Sequence, residues 1–133
     1  MRTIGVFFYG LFMDETLLRR KGIVCFGRQL ASLPGYELRV GQRATLVPAD
    51  GARAHGVLAA LTHADVDRLY TDEAVAMYRP EAVLVEAADG ARVVALCFNL
   101  PSVPAQERNA EYVEKLRAVA ETVGLPKEYV AKI

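Results

Sequence analysis

A chain of 133 residues, 53% of them hydrophobic, can bury one substantial core and is short for two ordinary domains. Sixteen Lys and Arg balance sixteen Asp and Glu, and no basic cluster is interleaved with aromatics, so neither nucleic acid nor an anionic membrane is an expected partner. No apolar run approaches the roughly 20 residues of a bilayer span, and the N-terminus lacks a small-residue cleavage site, so no signal peptide is expected.

In chain order, Ile4–Phe8 is an apolar run expected to form a buried strand. It ends at Tyr9-Gly10, and a short helix is predicted over 14–20 with Gly22 as its terminator. Strands are predicted over 24–33 and 36–40, separated by a turn at Pro34-Gly35. The segments 45–47 and 57–61 flank Ala49-Asp50-Gly51, which reads as a hairpin turn. Thr62-His-Ala-Asp65 has the form of a capping box opening a short helix that ends near Tyr70. Segments 83–87 and 93–98 bracket Asp89-Gly90, the strongest hairpin signal in the chain.

Residues 111–123 read as an amphipathic helix, with Tyr112, Val113, Leu116, Val119, Ala120 and Val123 on one side. Glu111 and Lys115 form a correctly oriented i,i+4 pair on the other side, and Gly124 and Pro126 end the helix. Pro101–Pro104 is the one loop with the look of a junction, and it is too short to divide domains. Many strands, few helices and no βαβ alternation predict one α+β domain over 1–133, with a curved or barrel-like mixed sheet.

Cys25 and Cys97 both sit in apolar, β-like runs without a Cys-x-x-Cys partner or a neighbouring His. Buried reduced thiols are expected, hence a cytoplasmic location and no metal site. His55 and His63 lie on separate elements and read as structural or solvated. Nucleotide, zinc-protease and serine-hydrolase motifs are absent from the sequence.

A strand that ends in a Gly turn and meets a helix start gathers free backbone N–H groups, a cradle suited to a carboxylate. The run Ile4–Met13 has this form and resembles the N-terminal signature of the γ-glutamyl cyclotransferase superfamily, in which a strand ends in Tyr-Gly-Ser or Tyr-Gly-Thr. Here Leu11 replaces the hydroxyl residue, so any carboxylate contact over 11–13 must come from main-chain N–H groups. Three further segments resemble the family in the same order. They are Leu33-Pro-Gly-Tyr36 followed by His55-Gly56-Val57-Leu58, then Asp67–Arg79, then the tail with Gly124-Leu-Pro-Lys-Glu-Tyr129.

The resemblance implies a cofactor-independent reaction on a γ-glutamyl amide. The substrate's α-amine attacks its own γ-carbonyl, closing 5-oxoproline and expelling an amine or amino acid. It implies one carboxylate that takes a proton from the attacking ammonium and returns one to the leaving nitrogen. Asp72 and Glu73 are adjacent candidates: the family's use of Glu favours Glu73, whereas counting back from Tyr78 favours Asp72. Burial is expected to raise that carboxyl's pKa. The same resemblance implies substrate contacts from Tyr9, Gly10, Leu11, Phe12, Met13 and Tyr78. Arg79 is expected to pair with Glu81 or Asp72. A protein of this fold that binds a small carboxylate or amine without turnover is the alternative.

Overall fold

The computed structural model describes residues 2–102 and 108–133. Five strands form a closed barrel in the order β1 (Thr3–Phe8), β3 (Ala44–Thr62), β2 (Phe26–Val40), β4 (Arg79–Ala87), β5 (Arg92–Asn99). All neighbours are antiparallel except β1 and β5, which meet in parallel at Val6↔Leu96 and close the barrel. The sheet is therefore mixed and closed, in agreement with the expected α+β class.

β3 is flanked by β1 and β2 on its two edges, which accounts for its near-continuous buried run Val57-Leu58-Ala59. At Gly56 the close approach requires glycine, because a Cβ there would lie 2.1 Å from the Phe8 carbonyl and 3.0 Å from the Phe7 ring. Among the described residues, four helices decorate the barrel: α1 (Glu15–Arg20), α2 (His63–Tyr70), α3 (Ala110–Val123) and α4 (Lys127–Ala131). The α3 stripe Val113, Leu116 and Ala120 joins the barrel's hydrophobic core, and Gly124 ends the helix with φ of 90°.

Two expected turns are corrected. Pro34-Gly35 does not end a strand: β2 runs through it, and Gly35, with φ of 81°, absorbs a register shift between Pro34 and Tyr36. Ala49-Asp50-Gly51 likewise lies inside β3, and both halves of β3 pair with β2. The connection between the two strands is Gly41–Arg43, because a closed barrel favours long bent strands where local turn residues suggest short ones. The 89–90 hairpin forms as expected, pairing Arg79–Glu86 with Arg92–Asn99.

Asp14 caps α1 through Thr16 and Leu17 N–H, and Thr62 caps α2 by accepting from Asp65 N–H. Asp65 does not complete a capping box. It is buried, and its carboxylate accepts from Val24 N–H at 3.2 Å and pairs with Arg68 at 2.9 Å. Both cysteines are free; Cys97 is buried, whereas Cys25 precedes β2 and is half-buried. The second half of the Pro101–Pro104 loop lies outside the described residues.

Candidate functional site

The end of β1 delivers Phe8, Tyr9 and Gly10 to one mouth of the barrel, where a 3-10 turn, Leu11–Met13, leads into α1. Across from it stands the loop that leaves α2, carrying Asp72, Ala74, Val75 and Tyr78. Phe98 at the end of β5, Ala44 at the start of β3 and Tyr112 on α3 complete the wall. These groups enclose a cavity of about 300 Å³.

The cavity is mainly aromatic. The Tyr70 ring stacks on Phe98 with centroids 3.7 Å apart, and Phe12 meets Tyr70 edge-on at 5.6 Å. Tyr9 is buried, and its hydroxyl donates to the Phe98 carbonyl at 2.6 Å. The Tyr78 hydroxyl donates to the Ala44 carbonyl at 2.5 Å, tying the loop to β3. Burial pushes the hydroxyl pKa values of Tyr9, Tyr70, Tyr78 and Tyr112 upward, so all four are neutral donors near pH 7.

Among the described residues, three charged side chains line this wall: Lys21, Arg43 and Asp72. Asp72 accepts from Ala74 N–H at 2.9 Å and from Lys21 Nζ at 3.4 Å. The Ala74 amide, followed by the Lys21 ammonium, holds its carboxyl below the ordinary aspartate range. This is opposite to the expected upward shift, because Asp72 lies at the exposed rim, its side chain 45% accessible. Arg43 reaches under the same loop and donates to the Ala74 carbonyl.

The amides at the strand end are partly available. N–H groups of Gly10 and Phe12 donate to no acceptor among the described residues, whereas those of Leu11 and Ala44 face the Tyr112 hydroxyl. Gly10 itself has φ of −112° and ψ of −151°, extended backbone open to any residue. The turn therefore does not require glycine; a Cβ at this position would meet the Tyr112 hydroxyl at 3.4 Å.

Among the sequence-predicted residues, Tyr9, Gly10, Leu11, Phe12, Asp72 and Tyr78 are brought together around the cavity. Met13 is fully buried beneath it, its carbonyl accepting from Arg28 at 2.7 Å. Glu73 is exposed and does not line the cavity. Arg79 forms neither expected ion pair; its guanidinium donates to the Ala76 and Tyr78 carbonyls. Sequence reasoning missed Lys21, Arg43, Tyr70, Phe98 and Tyr112 as cavity residues. Only the aromatic content of α2, β5 and α3 hinted at them, and an aromatic in an apolar stripe reads first as core. No group of three or more His, Cys, Asp or Glu suited to a metal occurs among the described residues.

A family model described as the AIG2-like family matches residues 53–133. No curated protein matches the chain. Among solved structures, a γ-glutamyl cyclotransferase superposes with TM-score 0.84 at 20% identity, covering 98% of this chain and 86% of that one. YkqA from Bacillus subtilis gives 0.77 at 27% identity, covering 99% of this chain and 53% of that one. A yeast γ-glutamyl cyclotransferase specific to glutathione gives 0.68 at 14% identity, covering 99% and 94%. The fold is that of the γ-glutamyl cyclotransferases, as the sequence resemblance implied.

Proposed function

Since the chain belongs to the AIG2-like family, we propose that it is a γ-glutamyl cyclotransferase-type enzyme releasing 5-oxoproline from a γ-glutamyl amide. One observation carries this reading: the strand end Tyr9–Phe12 and the loop bearing Asp72 face one aromatic cavity, and among the described residues Asp72 is the single carboxylate that lines it. In this reading the cavity folds the glutamyl arm so that its α-amine reaches the γ-carbonyl. Such intramolecular positioning is worth up to about 7–11 kcal/mol in favourable cases. The Gly10 and Phe12 amides supply donors for the carbonyl oxygen as charge develops on it, since the Tyr9 and Tyr78 hydroxyls already donate to the Phe98 and Ala44 carbonyls. Asp72 takes the proton from the ammonium and returns it to the leaving nitrogen. No cofactor enters this chemistry. The free thiols of Cys25 and Cys97 suit a reducing, cytoplasmic compartment.

The deciding experiment incubates the purified protein with a panel of γ-glutamyl amino acids and γ-glutamyl amines and measures 5-oxoproline. Release that disappears in Asp72→Asn supports the reading, and silence across the panel removes it. A second reading, ligand binding without turnover, is favoured by Asp72 itself. An exposed carboxyl held below its ordinary range is a weak proton acceptor. Saturable binding of panel members without 5-oxoproline release would establish that reading.

A further inference from the structure

Lys21 and Asp72 are 51 positions apart in sequence, one at the C-terminal end of α1 and the other just after α2, yet their charged atoms meet 3.4 Å apart on the wall of one cavity. The contact is solvent-accessible on both sides, 34% for the Lys21 side chain and 45% for Asp72. An ion pair of this exposure contributes little net stability, so another anion can take over the ammonium cheaply. The other lining cation, Arg43, is already engaged with the Ala74 carbonyl, and the Leu11 amide faces the Tyr112 hydroxyl. Lys21 is thus the cation positioned to receive a ligand carboxylate.

We infer that Lys21 is a substrate-responsive positioning residue: a ligand's α-carboxylate draws its ammonium away from Asp72, and the released Asp72 becomes the proton acceptor. The inference rests on the cyclotransferase reading of this cavity. Drawing the ammonium off removes the second of the two contacts that hold the Asp72 carboxyl low, and so makes it a better proton acceptor. Among the described residues, the remaining charged or titratable side chains lining the cavity are Arg43, Tyr9, Tyr70, Tyr78 and Tyr112. The four tyrosines stay neutral well past pH 7, and their hydroxyls therefore do not substitute for the lost cation. With Lys21 withdrawn and a ligand carboxylate nearby, the proton affinity of Asp72 rises. Only the Ala74 amide then still favours its ionised form.

The test uses the full chain with two probes that cannot be turned over: 5-oxoproline, which carries the carboxylate, and 2-pyrrolidinone, which lacks it. Calorimetry measures affinity, and carbon-detected NMR follows the Asp72 carboxyl titration. Lys21→Met is expected to weaken 5-oxoproline about 10- to 100-fold while leaving 2-pyrrolidinone unaffected, and Lys21→Arg is expected to restore most of the loss. The Asp72 midpoint is expected to rise on saturation with 5-oxoproline but not with 2-pyrrolidinone. In ligand-free Lys21→Met it should already be higher than in the parent chain. Absence of 5-oxoproline binding, binding indifferent to Lys21→Met, or a stationary Asp72 midpoint overturns the inference. The 5-oxoproline release assay reports separately on the enzymatic reading. A moving midpoint without turnover leaves the Lys21 switch standing and removes the enzyme; turnover with a stationary midpoint does the reverse.

Discussion

The ring of Tyr70 lies nearly parallel to that of Phe98, within 10° and with centroids 3.7 Å apart, joining the last residue of α2 to the end of β5. The stack is both a wall of the cavity and a tie between the Asp72 loop and the barrel. Tyr70→Phe keeps the stack and should be close to neutral in stability. Tyr70→Ala should cost about 3 kcal/mol, measured by urea unfolding, and should weaken ligand binding by loosening the loop that follows.

The adjacent acids separate cleanly. Asp72 lines the cavity and Glu73 does not. Asp72→Asn should therefore lower 5-oxoproline release by about 10²-fold or more, with Glu73→Gln near the parent rate. The opposite pattern, measured at saturating substrate, would move the proton-transfer role to Glu73.

Two glycines make a contrasting pair. Gly56→Ala drives a Cβ into the Phe8 carbonyl, where backbone must move, and should destabilise the barrel by about 3 kcal/mol or more. Gly10→Ala adds ordinary contact with Tyr112 on a permissive backbone and should leave thermal unfolding nearly unchanged. A large Tm loss in Gly10→Ala would show that the strand end is under constraint.

Alkaline pH should unfold the protein early. Burial pushes the Cys97 thiol from its ordinary 9.0 up to about 12, and the tyrosines around the cavity also titrate above their ordinary 10.0. The folded state thus holds protons that the unfolded state releases. Stability is fully present below pH 9 and falls as pH rises through 9 to 12. Urea midpoints at pH 7, 9 and 10.5 should decline steadily, and Cys97→Ala should flatten part of that decline.

The sequence displayed whatever was local. The 89–90 hairpin, the cap at Thr62 and the stripe of α3 could be read because each rests on a few adjacent residues. Pro34-Gly35 and Asp50-Gly51 misled for the same reason: their left-handed glycines serve bends inside long strands, and only the barrel's closure decides between bend and turn. At the site, the strand-end motif was visible as a continuous run. The Lys21–Asp72 contact and the Tyr70–Phe98 stack join residues 51 and 28 positions apart, and no pattern within either segment announces them. The choice between Asp72 and Glu73 was equally non-local, since it depends on which way the loop after α2 presents its side chains.

The parallel junction of β1 and β5 has a kinetic consequence. Its ladder consists of the single pair Val6↔Leu96, against six pairs joining β1 to β3. This seam forms between the first strand and the last, so it should zip late in folding and breathe first in the native state. Phe8 and Phe98 lie on its two sides and both line the cavity. Opening the seam therefore splits the cavity wall, and a ligand spanning it acts as a clasp. Amide hydrogen exchange at Phe7 to Tyr9 and at Leu96 to Phe98 should slow on ligand binding more than exchange in the β4–β5 hairpin away from the mouth.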